Sequence, residues 1–169
     1  MPVKTPHERQ FVVDCEYSQP SDQLISMAIV PLWLPNNQIE AVEVSGKEFY
    51  EVISPLPDDM TDWVKANVIP HLNKTAIPFQ HFQEKLESFL LEHRVQELHY
   101  DWCEDIAYFN RAMITGPGRR IKIYQGSSAR YLSHVHHPDI EGRSAKPHNA
   151  LSDARGIAEA IRRRLYQIP

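Results

Sequence analysis

Apolar residues recur along the first third of the chain in short runs that are typical of β-strands. Residues 10–17 predict a first strand, and the mostly apolar run from Leu24 to Pro31 predicts a second. Pro20 to Gln23 between them has the composition of a short turn. A third strand is expected around Ile39 to Val44, with Phe49 to Ile53 as a fourth strand or its continuation. The pattern predicts an antiparallel meander that leads into a mixed sheet.

Helical spacing begins near residue 59. A short helix is predicted from Asp59 to Asn67, with Asp58 or Asp59 as its cap and Pro70 after its end. The clearest amphipathic helix follows, with Pro78 in its first turn. Its apolar positions are Phe79, Phe82, Leu86, Phe89 and Leu90. Two more helices are predicted, one from Asp105 to Met113 and one from about Asn149 to Tyr166.

Two further strands are predicted in the second half of the chain. Leu98, Tyr100 and Trp102 alternate with polar residues, and Arg120 to Gln125 carries a similar alternation. Residues 126–147 have no period and are rich in Ser, His, Gly and Pro, which is typical of a functional loop or a disordered one, and we expect an active-site loop. The order of elements predicts an α/β fold with a mixed central sheet of about five strands flanked by helices.

Length and composition narrow the class of protein. The 169 residues fit one compact domain, 1–169, with a flexible N-terminal tail expected over residues 1–9. The apolar runs are too short to span a membrane, and no signal peptide is evident, so a cytoplasmic protein is expected. Cys15 and Cys103 are too few for a disulfide framework. The net charge of −4 argues against a broad grip on duplex nucleic acid, but it does not exclude a nuclease whose catalytic acids contribute to that total.

Acidic residues near the two ends of the chain suggest a metal site. Asp14 and Glu16 are two positions apart in a strand, so both carboxylates point to the same face. His148 and Asp153 stand at the start of the last helix and can point toward the same place. Converging carboxylates repel one another unless a cation lies between them. The alternative is a solvent-facing acidic pair and an ordinary helix cap, and we favour the metal site because both motifs occur together.

A third acid is expected from the middle of the chain. Asp105 stands where a strand gives way to a helix, so its carboxylate can reach over the sheet edge toward Asp14. Asp101 competes for this role, because it has odd parity relative to Leu98 and Tyr100 and can also face the site. Asp105 is preferred, and the choice between the two acids stays open because element boundaries read from sequence shift by a few residues.

Four acids and a histidine in this order resemble the DEDDh branch of the DnaQ-like 3′→5′ exonucleases, which includes RNase T, oligoribonuclease and polymerase proofreading domains. Asp14-Cys15-Glu16 is similar to the first motif of that family, Asp105 to the second, and His148 with Asp153 to the third. Residues 24–30, 62–70 and 148–155 are similar to a group of small bacterial and phage exoribonucleases related to RNase T. The chain departs from the family before Asp105, where an Asn or His is common and Tyr-Asp-Trp-Cys-Glu stands here.

The resemblance implies an RNase H-like fold and a 3′→5′ exoribonuclease that acts on single-stranded RNA or RNA overhangs. It implies two Mg²⁺ or Mn²⁺ ions, one held by Asp14, Glu16 and Asp153 and the other by Asp14 and Asp105. His148 is the expected general base. A homodimer is also expected, because related enzymes are commonly dimers.

Other interpretations remain open from the sequence. The substrate could be single-stranded DNA, the chain could be a non-catalytic nucleic-acid-binding module, or His134, His136 and His137 could serve a zinc hydrolase, although exposed loop histidines are favoured. Tyr17 and Tyr108 are candidates to stack on bases, whereas Phe109 is assigned to the core. A basic segment before the third motif could steer phosphates. Its residues are Arg119, Arg120, Lys122, Arg130, Arg143 and Lys146.

Overall fold

The computed structural model of the protein describes residues 9–33, 47–131 and 144–165. In this part of the chain the strands are β1 (Gln10–Tyr17), β2 (Leu24–Pro31), β3 (Phe49–Ser54), β4 (Ile77–Pro78), β5 (Glu97–Tyr100), β6 (Ile114–Gly116), β7 (Arg119–Arg120) and β8 (Ser128–Tyr131). Six of them form one mixed sheet in the order β4-β3-β2-β1-β5-β8, and β6 pairs with β7 separately. The predicted α/β fold with a mixed central sheet is confirmed, with six described strands where about five were expected.

Strand β1 lies inside the sheet and is the strand that carries the acidic pair. It pairs antiparallel with β2 on one side and parallel with β5 on the other, while β2 pairs antiparallel with β3. Phe11, Val13 and Cys15 of β1 are buried in one core cluster, and Val12 is buried in another on the opposite face. Asp14 and Glu16 share the parity of Val12, so they lie on the second face.

The described helices cover both faces of the sheet. They are α1 (Asp62–Asn67), α2 (Phe79–Glu92), α3 (Cys103–Ala112) and α4 (Ala150–Leu165), with a 3₁₀ turn at Ile69–His71. Apolar side chains of α2 and α3 are buried with Phe11 and Val13 of β1. Those of α4 are buried with Val12 of β1 and with Val30 of β2. Asp14 and Glu16 therefore point to the side of the sheet that α4 covers.

Small differences separate the predicted and observed helix boundaries. The cap of α1 is Thr61, whose hydroxyl accepts a hydrogen bond from the Val64 backbone N at 3.3 Å, so the predicted Asp58 or Asp59 cap is wrong. Both acids lie in the turn before the helix. The amphipathic α2 is confirmed, and α4 begins within one residue of its predicted start. Across the described residues, no helix has the length and apolar character needed to cross a membrane.

The strand predicted from Arg120 to Gln125 is wrong. Ile121 is buried against the α2–α3 cluster, but strand pairing at this point stops at Arg120. The strand that joins the sheet is β8, which pairs parallel with β5 and lies inside the segment predicted as an active-site loop. It has only four residues, and Ser128, Ala129 and Arg130 are exposed, so no buried face marked it in the sequence; its backbone pairing with β5 defines it.

Several predictions lie outside the described residues. These are residues 1–8 of the predicted tail, the strand expected at 39–44, residues 132–143 of the predicted loop, and the end of the last helix after residue 165. The strand expected to include Trp102 ends earlier, at Tyr100, and Trp102 is the residue that precedes α3. This shorter strand places the two acids that follow it on the turn into α3.

Candidate active site

The acidic pair of β1 lies in an environment that disfavours its charge. Burial raises the pKa of Asp14 well above its ordinary value, and the carboxylates of Asp105, Glu16 and Asp153 raise it further. Burial and the Asp153 carboxylate raise the pKa of Glu16 to about 8. Carboxyl groups that are held together in this way ionise readily when a cation is present to offset their repulsion.

Five carboxylates, including that of Asp14, gather in two groups. In one group, carboxylate oxygens of Asp14, Glu16 and Asp153 lie within 4.8 Å of one another. In the other, the same spacing joins Asp14, Asp101 and Asp105. The structure thus brings together all four acids predicted from the sequence, and it adds Asp101. Asp14 belongs to both groups, so the two groups share one side chain.

One carboxylate oxygen of Asp105 is hydrogen-bonded, and the other is buried without a hydrogen-bond partner among the described residues. It lies in the first turn of α3, is only 3% exposed, and its Oδ1 accepts a hydrogen bond from the Cys15 backbone N at 3.0 Å. Within the described part of the chain its Oδ2 is buried without a hydrogen-bond partner. Burial and the Asp101 carboxylate raise the pKa of Asp105 well above its ordinary value. A buried carboxylate oxygen without a donor is unfavourable, and a cation contact would satisfy it.

Asp101 is placed beside Asp14 by the pairing of the two parallel strands. Val12 pairs with His99, so continuing this register by two residues sets Asp101 next to Asp14. Asp101, Asp14 and Asp153 line one cleft of about 340 Å³. The sequence left Asp101 and Asp105 as alternatives, whereas the structure brings both to Asp14.

Asn149 fixes the start of α4, and with it the third motif. Its Oδ1 accepts a hydrogen bond from the Ser152 backbone N at 3.0 Å, which caps the helix. Its Nδ2 donates to the His71 carbonyl at 2.7 Å and to the Tyr50 hydroxyl at 3.0 Å. The Tyr50 hydroxyl in turn donates to the Leu72 carbonyl at 2.6 Å. These bonds tie the helix start to β3 and to the 3₁₀ turn.

His148 lies at the mouth of the cleft with its backbone in the left-handed region, at φ 66°. Its backbone N donates to Asp153 Oδ2 at 2.9 Å, so the two residues of the third motif contact each other directly. Its ring is exposed and meets Trp63 edge-to-face, with 4.8 Å between ring centroids. Among the described residues, neither carboxylate group includes a ring nitrogen of His148. This position suits proton transfer better than cation binding.

Trp63 lies at the site but was not predicted from the sequence as one of its residues. It lies in the first turn of α1 and is 54% exposed, although it packs on His148. A second cleft of about 450 Å³ runs between Glu16, Tyr17, Trp63 and Val64. A tryptophan in the first turn of a short helix was the available signal, but its partners are remote in sequence. This cleft gives the acidic site an aromatic wall.

The aromatic candidates have different positions. Tyr17 lines the cleft beside Glu16, as a base-stacking residue would. Tyr108 is only 2% exposed, stacks on Tyr17 with 4.7 Å between centroids, and donates its hydroxyl to Asp22, so it is not available to a base. Phe109 is buried in the core, as predicted.

The basic segment does not converge on the acids in the part of the chain that the structure describes. Arg119 and Arg120 are exposed on the β6–β7 hairpin, and Arg130 pairs with Glu97 at 2.8 Å. Lys146 is exposed two residues before His148. Arg143 and the three loop histidines at 134, 136 and 137 lie outside the described residues.

The donor set fits a hard divalent cation. Both groups consist of carboxylate oxygens, which suit Mg²⁺ or Mn²⁺, whereas zinc prefers thiolate and imidazole ligands. The free Oδ2 of Asp105 and the raised pKa values of Asp14 and Glu16 agree with such a ligand.

A scan of the chain against protein-family models gave no match, and neither did searches of curated proteins and of solved structures. The protein is therefore described by its sheet topology and by the residues of its candidate site. It is an α/β protein with five carboxylates collected where β1 and the parallel strand β5 end.

Proposed function

We propose that the protein is a metal-dependent 3′→5′ exoribonuclease with an RNase H-like fold, related to the DEDDh exonucleases. The observation that carries the proposal is the pair of carboxylate groups that share Asp14. An antiparallel β1-β2-β3 meander, followed by the parallel strand β5 and helices on both faces, supports the fold assignment.

The carboxylates would hold two divalent cations. Asp14, Glu16 and Asp153 would hold one, and Asp14 with Asp105 the other. When bound, such ions supply an activated water and relieve charge on the leaving oxygen of a phosphodiester. The residues of the chain contribute rigidity, since Asp14 and Glu16 lie on a strand that is paired on both sides.

His148 is the proposed general base. It lines the same cleft as Asp14 and Asp153, and an imidazole nitrogen can accept a proton from a water molecule. The bond from its backbone N to Asp153 and the contact of its ring with Trp63 orient it. It would take the proton of the attacking water and release it to solvent, because the side chain is exposed.

A single strand with a free 3′ end is the proposed substrate. The cleft between Tyr17 and Trp63 opens beside Glu16, so a terminal base stacked there would leave its phosphate near the carboxylates. The net charge of −4 and the exposed basic residues away from the site favour a short contact over a long duplex surface. The preference for RNA over DNA comes from the resemblance to the RNase T-related group.

Digestion of matched RNA and DNA oligomers, labelled at either end, tests the proposal. With Mg²⁺ or Mn²⁺, 5′-labelled RNA should give a ladder of shortening products, 3′-labelled RNA should release labelled mononucleotide at once, and EDTA should stop both. The surface variant Asp59→Ala should match the wild type, since Asp59 is exposed and outside both groups. Internal cuts, faster DNA hydrolysis, or binding without turnover would each contradict the proposal.

A further inference from the structure

Asp101 is the fifth acid that the fold brings to the site. It follows β5 by one residue, next to Asp14 in the parallel register. It does not cap α3, since the N-cap residue is Trp102 and α3 has no side-chain cap. A carboxylate oxygen of Asp101 instead lies within 4.8 Å of oxygens of Asp14 and Asp105. Three acids, one from β1, one from the turn after β5 and one from the first turn of α3, thus converge on one place.

The buried oxygen of Asp105 is an independent sign that something binds here. Asp105 is 97% buried, its Oδ1 is occupied by the Cys15 backbone N, and its Oδ2 has no hydrogen-bond partner among the described residues. Such an atom requires a donor or a cation to offset its desolvation. Carboxylates as close as Asp14 and Asp101 cannot donate to it when ionised, so a cation is the species that satisfies all three.

We propose that Asp101 is a third carboxylate ligand of the cation held by Asp14 and Asp105. The inference rests on the proposed two-cation site and assigns one residue that the resemblance does not supply, since this chain has Asp where the wider family often has Asn or His before the second-motif acid. Each cation then has three carboxylates around it, with Asp14 common to both.

The charge balance gives Asp101 a specific effect. Four carboxylates would neutralise two divalent cations, and Asp101 makes the site one charge more negative. Cation affinity rises with the number of charged ligands, so Asp101 should let the second cation bind at lower metal concentration.

Calorimetric titration with Mn²⁺, without RNA, tests this assignment. Asp101→Asn keeps the shape of the side chain and should weaken one of two Mn²⁺ sites by at least about tenfold, since loss of an outer-shell partner alone costs 10–100-fold. Glu104→Gln is the matched control, because Glu104 is exposed in the first turn of α3, loses the same charge, and lies outside both groups. A second variant, Asp101→Ser, should behave like Asp101→Asn, and thermal melting should show both folded.

The rate of RNA hydrolysis against Mn²⁺ concentration separates the inference from the proposed function. For Asp101→Asn the curve should shift to higher Mn²⁺ by at least about tenfold, as the binding curve does, whereas for Glu104→Gln it should coincide with the wild-type curve. If Asp101→Asn and Glu104→Gln titrate alike while the wild type binds two Mn²⁺ ions, Asp101 is not a ligand and the exoribonuclease proposal is unaffected. If Mn²⁺ binding follows the expectation but RNA is not hydrolysed, Asp101 remains a ligand and the proposed function is wrong.

Discussion

At the scale of single residues, Asp14 is the side chain on which the proposed chemistry depends most. It belongs to both carboxylate groups and lies on a strand that is hydrogen-bonded on both sides. Neighbouring carboxylates and burial raise its pKa, so its charged form is unfavourable in the folded protein without metal. Its removal should therefore affect activity and stability in opposite directions.

We expect Asp14→Ala to abolish RNA hydrolysis while the metal-free protein keeps or gains thermal stability at neutral pH. The reason is that the variant loses the shared cation ligand and also relieves carboxylate repulsion. Asp59→Ala is the control, and its unfolding free energy should change by no more than about 0.5 kcal/mol. Differential scanning calorimetry with a labelled-RNA assay makes the measurement. A variant that fails to fold would make Asp14 a structural residue.

We expect His148→Ala to lower the rate by roughly 10²–10⁴ and to leave Mn²⁺ affinity nearly unchanged, since a general base contributes about this much and the ring belongs to neither carboxylate group. The remaining activity should increase at alkaline pH, where hydroxide replaces the missing base. Rate–pH profiles at saturating metal and Mn²⁺ calorimetry provide the comparison. A large loss of Mn²⁺ affinity would make His148 a ligand or a structural support.

At the scale of elements, the N-terminus of α4 matters most, because it carries both residues of the third motif. Asn149 caps the helix and also donates to the His71 carbonyl and the Tyr50 hydroxyl. The helix start is therefore held in place by contacts with β3 and the 3₁₀ turn as well as by its own cap. A substitution of Asn149 should therefore move Asp153 and alter the site without removing any carboxylate.

We expect Asn149→Ala to lower the unfolding free energy by about 1–2 kcal/mol, the upper range for a lost cap, and to reduce both turnover and Mn²⁺ affinity because Asp153 is displaced. Asn149→Ser is the informative comparison, since its hydroxyl can still cap while the donation to His71 is lost. Denaturant unfolding and Mn²⁺ titration of both variants separate capping from anchoring. Unchanged Mn²⁺ binding in both would show that Asp153 needs no such anchor.

Elements defined by a buried face were predictable from the sequence, and those defined by pairing were not. The alternation in β1 and the helical spacing of α2 each match a buried face. β8 escaped prediction because it is short, its residues Ser128, Ala129 and Arg130 are exposed, and it joins the sheet through backbone bonds to β5. The strand predicted from Arg120 to Gln125 failed for the opposite reason, since Ile121 is buried without belonging to a sheet strand.

At the scale of the whole molecule, the sheet collects residues that are remote in sequence. The spacing of Asp14 with Glu16, and of His148 with Asp153, was visible in the sequence, so these three acids and the histidine could be predicted as one site. The place of Asp101 depends on the register between β1 and β5, and that of Trp63 on its contact with His148, 85 positions away. Contacts of this kind leave no local pattern to interpret.

The stability of the metal-free protein should depend on pH, because its carboxylates are buried close together. The pKa of Glu16 is raised from 4.5 to about 8, so its protonated form stabilises the fold at low pH, and that stability is lost as the pH rises through about 8. We expect the melting temperature of the metal-free protein to fall between pH 5 and about 8, and the fall to be smaller in Glu16→Gln.

Added Mn²⁺ should reverse that loss at pH 8 and do little at pH 5, where protons compete for the same oxygens. Binding at 100 times the dissociation constant stabilises a protein by about 2.7 kcal/mol. Melting curves with Mn²⁺ and with EDTA at the two pH values test both effects. A metal-free stability that rises toward pH 8 would show that the acids are not mutually destabilising.

The left-handed backbone conformation of His148 costs stability at the position of the proposed general base. A residue with a Cβ atom loses about 1–2 kcal/mol in this conformation, and glycine does not. Alanine keeps that strain when it removes the ring, whereas glycine removes the ring and the strain together. The His148→Gly protein should therefore unfold at a higher temperature than His148→Ala, and both should lack the proposed general base. The imidazole thus occupies a position whose backbone conformation favours glycine.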